Sequence, residues 1–154
     1  MSTPSPAQAM GVETPEERVL IALVRAAATA SAPSNAIVRK AGLSPSQYNV
    51  LRILRHAGDE GLSRNGIGER MVTPDPDLTR ILSGLTRRGA VTTRRCSVDR
   101  RSRVSAITQQ GRALLDGLDH EVRGAAISSL GGLDPVQLMR LHELLEAVGR
   151  GPDR

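Results

Sequence analysis

Apolar residues recur at steps of three and four along most of this chain, the spacing that lines one face of a helix. Leu20, Leu23, Val24 and Ala27 form the first stripe. It predicts a helix over residues 15–29, with Pro33 kinking or breaking the chain beyond it. A short helical piece over 34–41 follows, ended by Gly42 as a left-handed residue. Tyr48, Leu51, Ile53 and Leu54 give the buried side of a second helix over 45–56, and residues 57–61 read as a loop. A weaker helix over 63–71 contains Gly66 and Gly68, so packing of Ile67 and Met71 must hold it. Leu78, Ile81, Leu82 and Leu85 mark a fourth helix, from near Pro76 to Gly89. The period then changes. Residues 90–107 read as two short strands around a turn at 98–102. A long helix over 108–130 ends at Gly131 and Gly132. In a last helix over 135–148, Leu138, Leu141, Leu145 and Val148 form a coiled-coil-like seam.

The helix starts are unusually legible. Thr14-Pro15-Glu16-Glu17, Ser44-Pro45-Ser46-Gln47 and Asp134-Pro135-Val136-Gln137 each place an oxygen at the N-cap. Each has proline at the first helical position, where its missing N–H costs nothing, and a side chain that bonds back. Leu133 and Leu138 occupy the two positions of a hydrophobic staple. The stretch before the fourth helix predicts Asp75 as N-cap and Pro76 at the first helical position.

Composition sharpens this picture. Tyr48 is the single aromatic among 154 residues, so the core is built from aliphatic side chains. Packed helices achieve that more readily than a sandwich of large strand residues. The net charge is +5, and every basic residue except Lys40 is arginine. A genome rich in G and C accounts for that ratio. The distribution says more. Residues 62–112 carry eleven arginines against Glu69, Asp75, Asp77 and Asp99, a net of +7, leaving −2 for the rest. Such a basic block points to a polyanion.

Two short helices joined by a turn and followed by a basic hairpin make a winged helix-turn-helix. The fold class is therefore mainly α with a small β-hairpin wing. The second helix of the pair enters the major groove, with its N-terminal residues on base edges. Here it offers Pro76, Asp77, Thr79 and Arg80 near its start and Arg87 and Arg88 at its end. A solvated helix end explains the last two equally well. The hairpin carries Arg94, Arg95, Arg100, Arg101 and Arg103 against Asp99 alone. Like charges crowded at a tip repel, so folding gives no reason for them, whereas contact with phosphates or a narrow minor groove does. Arg64, at the start of the preceding helix, joins this set.

The run Asp99-Arg100-Arg101 with Val104, Ile107-Thr108 and Gly111 resembles the wing signature of the MarR family of bacterial regulators. Thr79-Arg80, Leu85, Gly89 and Val91 resemble its recognition-helix segment. Residues 44–54 resemble its preceding helix, and 133–148 its C-terminal dimerisation helix. The likeness covers roughly residues 15–149. It implies a DNA-binding transcriptional regulator, a repressor, acting as a homodimer on a near-palindromic operator. It implies that Arg101 reaches the minor groove while Asp99 orients the wing by ion pairing. It also implies release of DNA when a small phenolic or anionic molecule binds between the dimerisation region and the DNA lobe. Tyr48, Arg52 and Arg55, within a turn or two on one helix, are the candidates for that ligand. Leu20, Leu23, Val24, Leu138, Leu141, Leu145 and Val148 are the candidates for the dimer interface.

The resulting organisation is a disordered tail over 1–13, N-terminal dimerisation helices over 14–42, a DNA-binding lobe over 43–112, and C-terminal dimerisation helices over 113–150. The chain departs from the family pattern in three respects. The family usually opens the recognition helix with small hydroxyl residues, and here the stretch is Thr73-Pro74-Asp75-Pro76-Asp77. Asp77 then faces DNA, where a carboxylate accepts from cytosine N4 but is repelled by phosphate. Gly66 and Gly68 loosen the preceding helix, and Tyr48 alone represents the aromatics common in the family's ligand pocket.

Other chemistry is not indicated. Ser63, Ser83 and Ser102 lack a nucleophile-elbow context, and no glycine-rich loop follows a strand, so neither an enzyme nor a cofactor is expected. His56, His120 and His142 lack metal-ligand spacing. Cys96 is the only cysteine, which rules out an intramolecular disulfide. It reads as a small strand residue, although Arg94 and Arg95 would favour its thiolate. No apolar run is expected to reach the roughly 20 residues that span a bilayer. The start of the chain has no basic or apolar signal segment, so a cytoplasmic location is expected. The competing reading is a winged helix used for DNA architecture or protein contact, without ligand sensing.

Overall fold

The computed structural model describes residues 14–95 and 103–150, in six α-helices and a small sheet. The order is α1 (Pro15–Lys40), α2 (Pro45–Ala57), a 3-10 turn (Gly58–Glu60), β1 (Leu62–Ser63), α3 (Arg64–Gly68), α4 (Leu78–Arg87), β2 (Val91–Arg95), β3 (Arg103–Ile107), α5 (Gln109–Ser129) and α6 (Pro135–Arg150). All three predicted capping boxes form. Thr14 and Glu17, Ser44 and Gln47, and Asp134 and Gln137 exchange side-chain and backbone bonds of 2.9–3.2 Å. Thr108 adds a cap for α5 by accepting from Gly111 N–H at 3.1 Å.

The chain forms two compact units. One is Ser34–Gly124, and the other combines the segments up to Pro33 and from Ala125 onward. The core of the first is wholly aliphatic. Val38, Val50, Leu51, Leu54, Ile67, Leu85 and Leu115 are fully buried, with Tyr48 packed at the edge. Burying each large side chain contributes roughly 1.5–3 kcal/mol. The strand order is β1-β3-β2, all antiparallel, with Val91 opposite Ile107 and Arg95 opposite Arg103. Arg88 donates to the carbonyls of Gly42 (2.6 Å) and Ala41 (2.8 Å), tying the end of α4 to the end of α1. In the second unit, α6 has no buried residue, and Val19, Leu20, Val24, Ile127, Leu144, Leu145 and Val148 are all exposed.

Four expectations need correction. Pro33 does not break α1, which runs through it for 26 residues; proline removes a single helical hydrogen bond, and the turns on either side keep theirs. Helix α1 is also long and apolar enough to cross a membrane by length and composition, because residues 19–38 carry only Arg25 as a charge. The predicted helix over 63–71 shrinks to Arg64–Gly68, preceded by a two-residue strand that pairs Leu62 with Ser105. Its glycines give it little propensity, and β3 offers Leu62 and Ser63 a ladder instead. Finally, α4 begins at Leu78 rather than Pro76, with Asp77 in the N-cap position. Asp75 instead accepts from the Asp77 N–H at 2.9 Å, an Asx turn that delays the helix by two residues.

Candidate nucleic-acid interface

Helix α4 is strongly two-sided. Leu78, Ile81 and Leu85 are buried against the core, while Thr79, Arg80, Ser83, Thr86 and Arg87 face outward. Beside that outward face lies a groove of about 550 Å³. Arg64, Thr79, Ser83, Thr86, Arg87, Thr93, Arg103 and Ser105 line it, over Leu82. Every polar group in this lining can donate a hydrogen bond, and none is a carboxylate. Its natural complement is a surface of acceptors, which phosphate oxygens and purine edges provide. Arg64 Nε donates to Thr79 Oγ1 at 3.1 Å, so α3 braces the first turn of α4.

Electrostatics distinguish the arginines from one another. Arg95 and Arg103 are exposed and directly opposite across the ladder, an unfavourable pairing for the hairpin alone. Arg94 donates to the carbonyls of Asp59 (3.1 Å) and Glu60 (3.0 Å), and so ties β2 to the 3-10 turn. Arg112 holds the same turn through Asp59 at 2.7 Å. Arg80 Nε lies 2.6 Å from Asp77 Oδ2, and that carboxylate holds the guanidinium pKa above its ordinary value. Pro76 is exposed just before this pair. Asp99, Arg100, Arg101 and Cys96 lie outside the described residues.

The three residues suggested for a ligand do not share one environment. Arg55 is engaged by Asp119 on α5 through two bonds (2.8 and 3.1 Å) and by Asp116 at 3.3 Å. The bond from Asp119 raises the Arg55 pKa, and the same bond lowers that of Asp119. Arg52 is exposed, with its guanidinium carbon 5.9 Å from the centroid of the Tyr48 ring. Arg52 also lines a groove of about 470 Å³ with Asn49, Ile53, His56, Arg70 and one carboxylate, Glu60; Tyr48 and Arg55 do not line it. Sequence reasoning missed His56 and Arg70 here, and Ser83 and Thr86 on α4. The last two were findable, since both fall on the helical face of Thr79.

Comparison with known proteins agrees with this architecture. The MarR family model matches residues 41–102, from before α2 to the wing. The crystal structure of a MarR transcription factor from Planctomyces limnophilus is 32% identical. It superposes with a TM-score of 0.66, covering 88% of this chain and 98% of the other. The chain belongs to the MarR family. It is a DNA-binding transcriptional regulator. The HTH-type transcriptional regulator MhqR of Bacillus subtilis is 27% identical over 132 residues, 86% of this chain and 90% of that protein. BpsR of Bordetella bronchiseptica, whose DNA binding is regulated by 6-hydroxynicotinic acid, shares the fold at a TM-score of 0.80 and 23% identity, covering 93% of this chain and all of that one. The winged-helix reading of the sequence therefore holds for this MarR-family regulator.

Proposed function

We propose that this regulator acts as a homodimeric repressor that places α4 of each subunit in the major groove of an inverted-repeat operator. The groove between α4 and the strands carries this reading, because its arginines and hydroxyls can all donate to acceptors and its lining holds no carboxylate. Thr79, Ser83 and Thr86 suit base edges or phosphates. Arg64, Arg87, Arg95 and Arg103 suit phosphates, and Arg100 and Arg101 are further candidates by sequence. Arg94 acts as a brace for the wing through its two carbonyl contacts. Dimerisation is supported by α6: a 16-residue helix with no buried residue is not stable on propensity alone, so Leu138, Leu141, Leu145 and Val148 pack on a partner. Leu20, Leu23 and Val24 of α1 join them. A dimer puts the half-sites about one helical turn apart.

Release by a small anionic or phenolic ligand is part of the proposal. The groove on Arg52, His56 and Arg70 has a volume suited to a small aromatic acid, and Arg55 is already neutralised by its carboxylate partners. BpsR, regulated by 6-hydroxynicotinic acid, sets a precedent for that ligand class within the fold. The test combines selection from a random duplex library with footprinting and sedimentation. A dimer protecting a near-palindromic site, released by hydroxylated aromatic acids, is the expected result. A monomer, or equal affinity for every duplex, would overturn it.

A further inference from the structure

Asp77 makes an unusual use of its position. An aspartate at a helix N-cap ordinarily accepts a backbone N–H from the first turn. Here the side chain makes no such bond. Its Oδ2 instead takes the Nε–H of Arg80, the third residue of α4, at 2.6 Å. Both side chains are largely exposed, at 55% and 78%. Such a surface pair adds little to folding, and a carboxylate at the DNA-facing start of a recognition helix opposes phosphate. The arrangement therefore calls for a reason other than stability.

A guanidinium offers two forks that match guanine O6 and N7. One is the side edge, Nε with Nη2, and the other is the end edge, Nη1 with Nη2. With Nε held by Asp77, the end edge has no partner among the described residues. We propose that Asp77 is a positioning residue that presents the Nη1–Nη2 edge of Arg80 to a guanine, so that each operator half-site carries a G read jointly by the pair. This rests on the reading of α4 as the DNA-reading helix. Fixing a long side chain before binding lowers the ordering cost at the moment of recognition. Pairing also cancels the charge of Arg80, so it gains nothing from counterion release along random DNA. The carboxylate thus supplies the repulsive half of specificity, discouraging Arg80 from settling on phosphate.

The experiment is selection from a random duplex library with the full-length wild type, Asp77→Ala, Asp77→Asn and Arg80→Ala. Affinities for the enriched and a scrambled duplex are then measured at several salt concentrations, with folding verified by circular dichroism. Wild type should enrich a G at one position of each half-site, and Arg80→Ala should flatten that position. Asp77→Ala should lower the preference for that G about tenfold. The same change should tighten binding to scrambled duplex and steepen its salt slope by about one unit. Asp77→Asn, whose amide oxygen can still accept from Nε, should retain part of the preference. A merely structural Asp77 would weaken both duplexes alike, and that outcome overturns the proposal. So does an Arg80→Ala protein with unchanged base frequencies and a salt slope lower by one, the signature of a phosphate contact. A wild type that enriches no motif overturns the reading of α4 itself.

Discussion

Two glycines three residues apart allow backbone strain to be separated from steric blockage. Gly58 (φ 72°, ψ −157°), which opens the 3-10 turn, and Gly61 (φ 73°, ψ −173°), which follows it, share nearly the same conformation, a region that side chains avoid. Alanine at either position costs on the order of 1–3 kcal/mol in strain. Alanine also restricts the unfolded chain, which returns about 0.4–1 kcal/mol in both cases. The surroundings differ. A Cβ at Gly58 meets nothing within 4 Å, whereas one at Gly61 would press into the Ser105 carbonyl, 2.9 Å from its carbon and 3.1 Å from the Ala106 Cβ. Ser105 is the middle residue of β3, paired with Leu62 on one side and Thr93 on the other. It cannot yield without breaking the ladder, so an overpacking cost of about 1–3 kcal/mol adds to the strain. Gly61→Ala should therefore be less stable than Gly58→Ala by about 1–3 kcal/mol. Urea unfolding followed by circular dichroism measures the difference. Gly61→Ala should also weaken DNA binding, since β1 anchors the base of the wing. Equal midpoints for the two variants would refute the argument.

Three further outcomes follow from the same geometry. The Asp119 carboxylate is held below its ordinary pKa chiefly by the Arg55 bond, so its contribution is present above the unfolded value and is lost as pH falls through the folded one. Thermal melts should accordingly show wild type more stable than Asp119→Asn by roughly 1 kcal/mol near neutral pH, with the gap closing below about pH 4. Arg103→Ala should lower the salt slope of DNA binding by about one unit with little change in stability, while Arg94→Ala should cost roughly 1 kcal/mol of stability and leave the slope unchanged; titrations at graded salt together with urea curves distinguish the two. Leu145→Asp, on the exposed face of α6, should shift sedimentation from dimer to monomer and abolish protection of a two-half-site operator.

The periodic elements could be read directly from the residues because each obeys a local rule. Ser44-Pro45-Ser46-Gln47 dictates where α2 begins whatever surrounds it, and Asp134 does the same for α6. The stripe of Leu78, Ile81 and Leu85 fixes which side of α4 is buried, and hence that Thr79 and Arg80 face outward. The eleven arginines of residues 62–112 announce a polyanion partner through charge alone. These are matters of spacing and charge, which a linear chain carries in full.

What packing decided lies where local preferences were weak or in competition. The pairing of Leu62 with Ser105 depends on a neighbour distant in sequence. The fates of the arginines depend on such neighbours too, because a guanidinium has no role until its acceptor is known. Arg55 found Asp119, 64 residues away, and Arg94 found the Asp59 carbonyl, 35 away. Arg80, by contrast, pairs locally with Asp77, three residues back, beside the Asx turn that Asp75 makes with the Asp77 N–H. Composition sets how many charges there are and in which stretch of chain they fall. Only the folded backbone determines which of them remain free for DNA, because each pairing depends on ångström distances between segments that the linear order leaves apart.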